Sequence, residues 1–200
     1  HSYSSAASDV YKRQTPDDAA LGSSWTEPGF DDSTWRDVFT GIGYDEDSTY
    51  VPEFGAGGNL GKDLNGINTS LYLRVPFDLN EPSTLTDLSL GMKYDDGFVA
   101  YLNGTWILSE NSPPAGTLSY NSEATTSHAD TLALEYEIFD LSEHRDLLVL
   151  GRNILSIHGL NNGLNSSDML ISPELRGIRI TNPSVGEGGF FEIPTPAAFN

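Results

Sequence analysis

The sequence predicts an all-β fold, an antiparallel β-sandwich or jelly roll with one short helix. Three observations carry this. In SLYLRVPF, Leu71, Leu73 and Val75 alternate with Tyr72 and Arg74, the period of two that places successive side chains on opposite faces of a strand. In FVAYLNGTWIL, Asn103-Gly104 stands between two apolar runs, and this pair favours a tight hairpin because both positions tolerate positive φ. Glycine, proline and asparagine punctuate the chain throughout, and no helical heptads or internal repeats are present.

Leu85, Leu88 and Leu90 in TLTDLSLGMKY form a looser strand, and the hairpin follows with arms Phe98–Leu102 and Trp106–Leu108. LALEYEIF places Leu132, Leu134, Tyr136 and Ile138 on one face and Glu135 and Glu137 on the other, the pattern of a half-buried strand. DLSEHRDLL is the one segment that reads as helical, with Asp140 or Ser142 as its cap and Gly151 closing the segment. NILSIHGL and ELRGIRI return to strand. Two long polar loops, GAGGNLGKDLNGIN and SENSPPAGTLSYNSEATTSHAD, separate the strands.

Of the 200 residues, 38% are hydrophobic, enough for one sizeable core. The formal net charge of −19 repels phosphate backbones and anionic lipid headgroups, so nucleic acid and membrane surfaces are poor partners. A cation or a neutral ligand suits such a surface. There is no cysteine, which excludes disulfides and thiolate zinc sites. No apolar run approaches the roughly 20 residues that a spanning helix needs. HSYSSAASDVYKRQ has neither an apolar signal core nor clear periodicity, so residues 1–20 read as a disordered or appended leader. The sandwich is expected over residues 21–182, and GEGGFFEIPTPAAFN within 183–200 reads as a linker to a following domain.

Three segments in order, SLYLRVPFDL, LSLGMKYDDGFVAYLNGTWI and FDLSEHRDLLVLGRNILSIHGLNN, together resemble the galactose-binding-like jelly roll. They are similar to the sugar-binding domain that precedes the catalytic barrel in β-galactosidase-type glycoside hydrolases, and EPGFDDSTWRDV resembles the opening of that domain. The resemblance spans about residues 25 to 181. It implies an accessory module without catalytic residues, of a kind found in tandem in large secreted bacterial proteins. A narrower resemblance links DDGFVAYLNG to the Asp-Asp-Gly strand of protective-antigen-type lectin domains. There the paired aspartates, joined by a cis peptide, bind calcium, and the calcium binds sugar hydroxyls. Carried over by position, this implies that Asp95 and Asp96 are calcium ligands, with Gly97 and Asn103-Gly104 as the frame.

The residues themselves leave two readings of Asp95-Asp96. Neighbouring carboxylates suit calcium, a hard ion taking six to eight oxygens. Aspartates beside turns also cap backbone amides two residues on. A calcium site needs further oxygens, and HGLNNGLNSSD can offer Asn161, Asn162 and Asp168 if it lies at the same end of the sandwich. His158 could line that rim or be a hydrogen-bonded neighbour of it. Trp25, Tyr44 and Tyr50 lie in loops and could present flat rings to sugar faces, or be buried as aromatics usually are. FDDSTW could hold a structural calcium through Asp31 and Asp32, or Asp31 could cap the turn before Trp35. Asp45, Glu46 and Asp47 read as a solvated loop without EF-hand spacing. No two histidines have zinc-ligand spacing, and there is neither a G-x-S-x-G nor a P-loop. Acidic pairs for glycoside hydrolysis always exist among 29 carboxylates, so their presence decides nothing.

The expected function is a non-catalytic carbohydrate-binding module of a larger extracellular bacterial protein, with calcium as cofactor and a glycan and neighbouring domains as partners. The alternatives are a structural spacer or adhesion domain that binds a neighbouring protein module, and a glycoside hydrolase fragment.

Overall fold

The structure is a computed structural model that describes residues 9–179 and 191–192. It is the expected all-β sandwich of two antiparallel sheets. The strands are β1 (Asp9–Arg13), β2 (Arg36–Val38), β3 (Ile42–Asp45), β4 (Ser70–Leu79), β5 (Leu85–Asp95), β6 (Gly97–Leu102), β7 (Thr105–Glu110), β8 (Glu137–Asp140), β9 (Gly151–Leu160), β10 (Asp168–Arg179) and β11 (Phe191–Glu192). One sheet has the order β2-β1-β4-β9-β6-β7; the other runs β11-β10-β5-β8, with β3 also pairing β10. Two four-residue helices, α1 (Gly61–Leu64) and α2 (Asp130–Ala133), sit in the connections.

Alternation along β4, β6 and β9 sorts the side chains into two layers. Leu71, Leu73, Val75, Phe98, Ala100, Leu102, Leu155 and Ile157 enter the main core between the sheets. Tyr72, Val99 and Tyr101 project from the opposite face into a second cluster with Trp25, Ala124 and Leu160, flanked by Leu21, Phe30, Trp35 and Leu118. The six-stranded sheet is therefore covered on both faces. For this reason β6 is buried at every position, although antiparallel strands commonly leave one face wet.

Arg74 fixes the outer cover. It is fully buried on the outward face of β4, where its Nε donates to Asp32 Oδ2 at 2.7 Å. Its Nη1 donates to the carbonyls of Trp25 and Glu27, and the guanidinium lies 5.4 Å from the Phe30 ring centroid. The FDDSTW turn is thus held by a buried cation. Asp32 Oδ2 pairs with Arg74, and Asp31 Oδ1 accepts from Ser33 N at 3.1 Å, the turn-capping alternative weighed for Asp31.

The Asn-Gly hairpin forms as expected, with φ of 49° at Asn103 and 88° at Gly104. The Asn103 side chain adds a tie: its Nδ2 donates to Leu147 O and its Oδ1 accepts from Ile154 N, each at 2.8 Å.

Other expectations fail. LALEYEIF is not one strand: α2 takes its start and β8 its end, leaving Leu132 58% and Ile138 54% exposed, whereas Ala133 is buried. Its two-residue alternation is interrupted because Ala133 turns inward against Tyr50 and Leu170. The DLSEHRDLL segment forms a 3-10 helix over Ser142–Leu147, not an α-helix. Residues 9–13, expected outside the fold, pair between β2 and β4. The expected linker lies outside the described residues except for Phe191-Glu192, which pairs with Arg176 and Gly177.

Replacing Arg74 by Ala strands the Asp32 carboxylate and two carbonyls, and is expected to cost about 3 kcal/mol in urea denaturation. Arg36→Ala is the control. Its pair with Asp63 stands at the surface, and the loss is expected to stay below about 1 kcal/mol.

Candidate cation site at the sheet crossing

Asp95 is the last residue of β5, paired with Leu170 in one sheet, and Gly97 is the first of β6, paired with Leu160 in the other. The aspartate doublet is therefore the point where the chain crosses the sandwich. The Asp95–Asp96 peptide is cis. A side chain at position 97 would meet Glu110 O at 2.8 Å, so glycine is required immediately after the crossing.

The two carboxylates have different surroundings. Asp96 is buried, and its oxygens accept from His128 N at 2.9 Å and Asn162 N at 2.8 Å. Its carbonyl accepts from Asn111 Nδ2 at 2.8 Å and its N–H donates to Leu160 O at 3.1 Å. Asp96 thus ties three chain segments to the crossing, two through backbone amides and one through the Asn111 side chain; the amides its carboxylate accepts from are distant in sequence, not the local turn amides weighed from the sequence.

Asp95 instead meets other acids. Its Oδ2 accepts from Tyr50 Oη at 2.7 Å, and one carboxylate oxygen each from Asp95, Asp130 and Asp168 lie within 4.8 Å of one another. Asp168 opens β10 and Asp130 opens α2, so three distant segments converge. Asp95 is 2% exposed, Asp168 is half-buried and Asp130 is exposed, which leaves the cluster open to solvent on one side. Burial, then the neighbouring Asp96, pushes the Asp95 carboxyl far above the usual carboxylate range. Burial, then Asp130 and Asp45, pushes Asp168 up to about 6. Asp45, the register partner of Asp168, uses its own oxygens to accept from Asp47 N at 2.7 Å and Tyr50 N at 2.5 Å. It shapes the loop that places the Tyr50 hydroxyl over Asp95. Burial and Asp95 raise the Tyr50 phenol, which keeps it a donor.

These donors fit a hard cation. They are oxygens only, they repel one another, and a divalent ion would take the place of the protons that burial favours. Three carboxylates leave further positions for water or for a ligand.

Of the other residues expected at the site, Asn161 and Asn162 bond to Asp168 and Asp96, whereas Trp25, Tyr44 and His158 are buried. Asn161 is fully buried; its Nδ2 donates to Tyr44 Oη at 3.0 Å and to Asp168 O at 2.8 Å. Tyr44 is buried and donates to Ser166 O at 3.0 Å, so it presents no ring to a sugar. Asn162 is exposed but contributes its backbone N–H. Trp25 is buried and stacked on Tyr72, with centroids 4.0 Å apart. His158 belongs to the same outer layer rather than to the rim. It lies edge-on to Tyr72, with Nε2 3.1 Å from Ser70 Oγ. Burial on that face pushes its pKa down to about 3. Asp130 was not expected: it lies in a polar loop with no motif spacing, and only the docking of His128 on Asp96 and Tyr94 brings it in.

Tyr50→Phe removes the donor to Asp95 and is expected to cost about 1–3 kcal/mol by denaturation in chelator. His158 gives a pH signature. Its folded pKa is depressed, so its contribution is full above the unfolded value and is lost as pH falls from about 6.5 towards 3, by up to about 1.4 kcal/mol per pH unit. His158→Gln is expected to flatten that part of the stability profile.

No protein-family model matches the chain, and no curated protein does. Among solved structures, β-glucuronidase from Bacteroides uniformis aligns at 11% identity and a TM-score of 0.45, covering 86% of this chain and 17% of the enzyme. A β-glucuronidase of glycoside hydrolase family 2 aligns at 13% identity and 0.44, covering 88% and 18%. α-L-Rhamnosidase from Aspergillus terreus aligns at 14% identity and 0.37, covering 64% and 14%. The chain spans less than a fifth of the length of each of these enzymes.

Proposed function

We propose that this chain is a calcium-binding, non-catalytic carbohydrate-binding module of a larger extracellular protein. The observation that carries the cation is the convergence of Asp95, Asp130 and Asp168 within 4.8 Å at the sheet crossing. The carbohydrate assignment is supported by the ordered resemblance of three segments to sugar-binding jelly rolls. The net charge of −19 agrees with it, since such a surface disfavours anionic partners and tolerates neutral ones. Such a module acts by raising the local concentration of an attached domain at its substrate.

Calcium binds the folded state, so it stabilises by mass action, about 2.7 kcal/mol at a hundredfold excess over Kd. The melting temperature is expected to rise in calcium over chelator. In Asp130→Asn with Asp168→Asn the rise should vanish, and that variant should melt higher than the wild type in chelator because repulsion is relieved. Equal melting of the wild type in calcium and chelator would remove the cation from the proposal.

A second reading, a spacer docking a neighbouring module, is favoured by one observation. Trp25, Tyr44 and Tyr50, the loop rings that the sequence offers for stacking on sugars, are all buried. A glycan array on the calcium-loaded protein decides between them: bound glycans support the module, and silence across plant, algal and animal glycans supports the spacer.

A further inference from the structure

The described residues include the asparagine–glycine pairs Asn65-Gly66, Asn103-Gly104 and Asn162-Gly163. Such a pair is chemically labile, because asparagine is a thermally fragile residue and glycine has no side chain to shield its own backbone nitrogen. The fold treats the three pairs differently.

Asn103 is locked. Its Nδ2 donates to Leu147 O and Asn153 Oδ1, and its Oδ1 accepts from Ile154 N, each at 2.8 Å. Turning that amide towards Gly104 would break these bonds. Asn65 is half-buried, and its Nδ2 donates to Glu46 Oε1 at 2.8 Å. Asn162 is exposed, and its side chain has no hydrogen bond among the described residues. The Gly163 N–H likewise donates to no group among them. A side chain built at Gly163 would meet nothing within 4 Å, so there is room for a ring to form.

The chain immediately before Gly163 is fixed. Asn161 N–H donates to Thr69 O at 2.7 Å, and its carbonyl accepts from Ala124 N at 2.9 Å. Asn162 N–H donates to Asp96 Oδ2 at 2.8 Å. A free side-chain amide therefore stands beside a free peptide nitrogen, where the loop leaves its anchor.

We infer that Asn162 is a self-modification site that converts to aspartate and isoaspartate without an enzyme. A base takes the Gly163 amide proton, and that nitrogen attacks Asn162 Cγ. The bond from Cγ to Nδ2 breaks and the side-chain nitrogen leaves as ammonia, closing a succinimide ring. Water then opens the ring at either carbonyl. One opening leaves aspartate; the other routes the main chain through Cγ as isoaspartate. Water is consumed, ammonia is released, and nothing is oxidised or reduced.

The consequence falls on the sheet crossing. Both products put a new carboxylate on the residue whose N–H holds Asp96. Isoaspartate also adds a methylene to the main chain between that N–H and Asp168, the first residue of β10. The inference depends on neither the cation nor the carbohydrate proposal.

The test ages the full chain in chelator at mildly alkaline pH and maps its peptides by mass spectrometry. Asn162 is expected to show the mass gain of amide-to-acid conversion in two isomeric peptides. It should convert at least tenfold faster than Asn103 and several-fold faster than Asn65. In urea that unfolds the chain, the three rates should converge. Gly163→Ala, which the open space accommodates, should slow the reaction at least tenfold, and Asn162→Gln should abolish it. The aged protein should melt below the fresh one, whereas aged Asn162→Gln should keep its melting temperature. Conversion of Asn162 no faster than that of Asn65 overturns the assignment, and so does a rate order that persists in urea. Unchanged melting after Asn162 has converted overturns the effect on the crossing.

Discussion

Crossing from one sheet of a sandwich to the other within a single residue forces polar backbone and side chains into a place with little water. Here the crossing is Asp95-Asp96-Gly97, and the molecule around it is arranged to satisfy those groups. Asp96 is satisfied internally, by two backbone N–H donors from loops that begin far away in sequence. Asp95 is satisfied only in part, by the Tyr50 hydroxyl, and it faces two more acids. One aspartate therefore gathers loops and the other leaves a concentration of negative charge. Both follow from the same burial, because a buried carboxylate must accept hydrogen bonds, take a proton or meet a cation.

Gathering the loops also creates the cluster. His128 reaches the crossing through its N–H to Asp96 and by stacking on Tyr94 at 4.2 Å, and two residues later Asp130 arrives beside Asp95. Asp168 arrives through the β10 register, which sets Asp45 opposite it. An ion at this position would join β5, β10 and the segment leading into α2, so its stabilising effect would be spread over the whole end of the sandwich.

The second organising feature is the cover on the six-stranded sheet. Arg74 is buried there because Asp32, two carbonyls and the Phe30 ring enclose its guanidinium. That arrangement draws Trp25 onto Tyr72 and excludes water from His158. Rings that in isolation could have stacked on sugars are consumed in holding this layer. The acidic end therefore holds a candidate cation site, while these rings stay buried in the outer layer.

The sequence by itself determined the strand class, the Asn103-Gly104 hairpin and the alternation of β4, because each depends on neighbours within a few residues. It also showed that Asp95-Asp96 was an unusual place to put two charges. The tertiary structure alone decided which oxygens meet. Asp130 and Asp168 stand 35 and 73 residues beyond Asp95, and no spacing rule connects them. It alone decided that Trp25, Tyr44 and His158 face inward, since an aromatic in a polar loop is legible as an aromatic but not as buried or exposed. LALEYEIF shows the same limit. Its alternation was real, but a contact between Ala133 and residues more than 30 positions away overrode it, because packing against a distant surface outweighs the small intrinsic preference of a short segment.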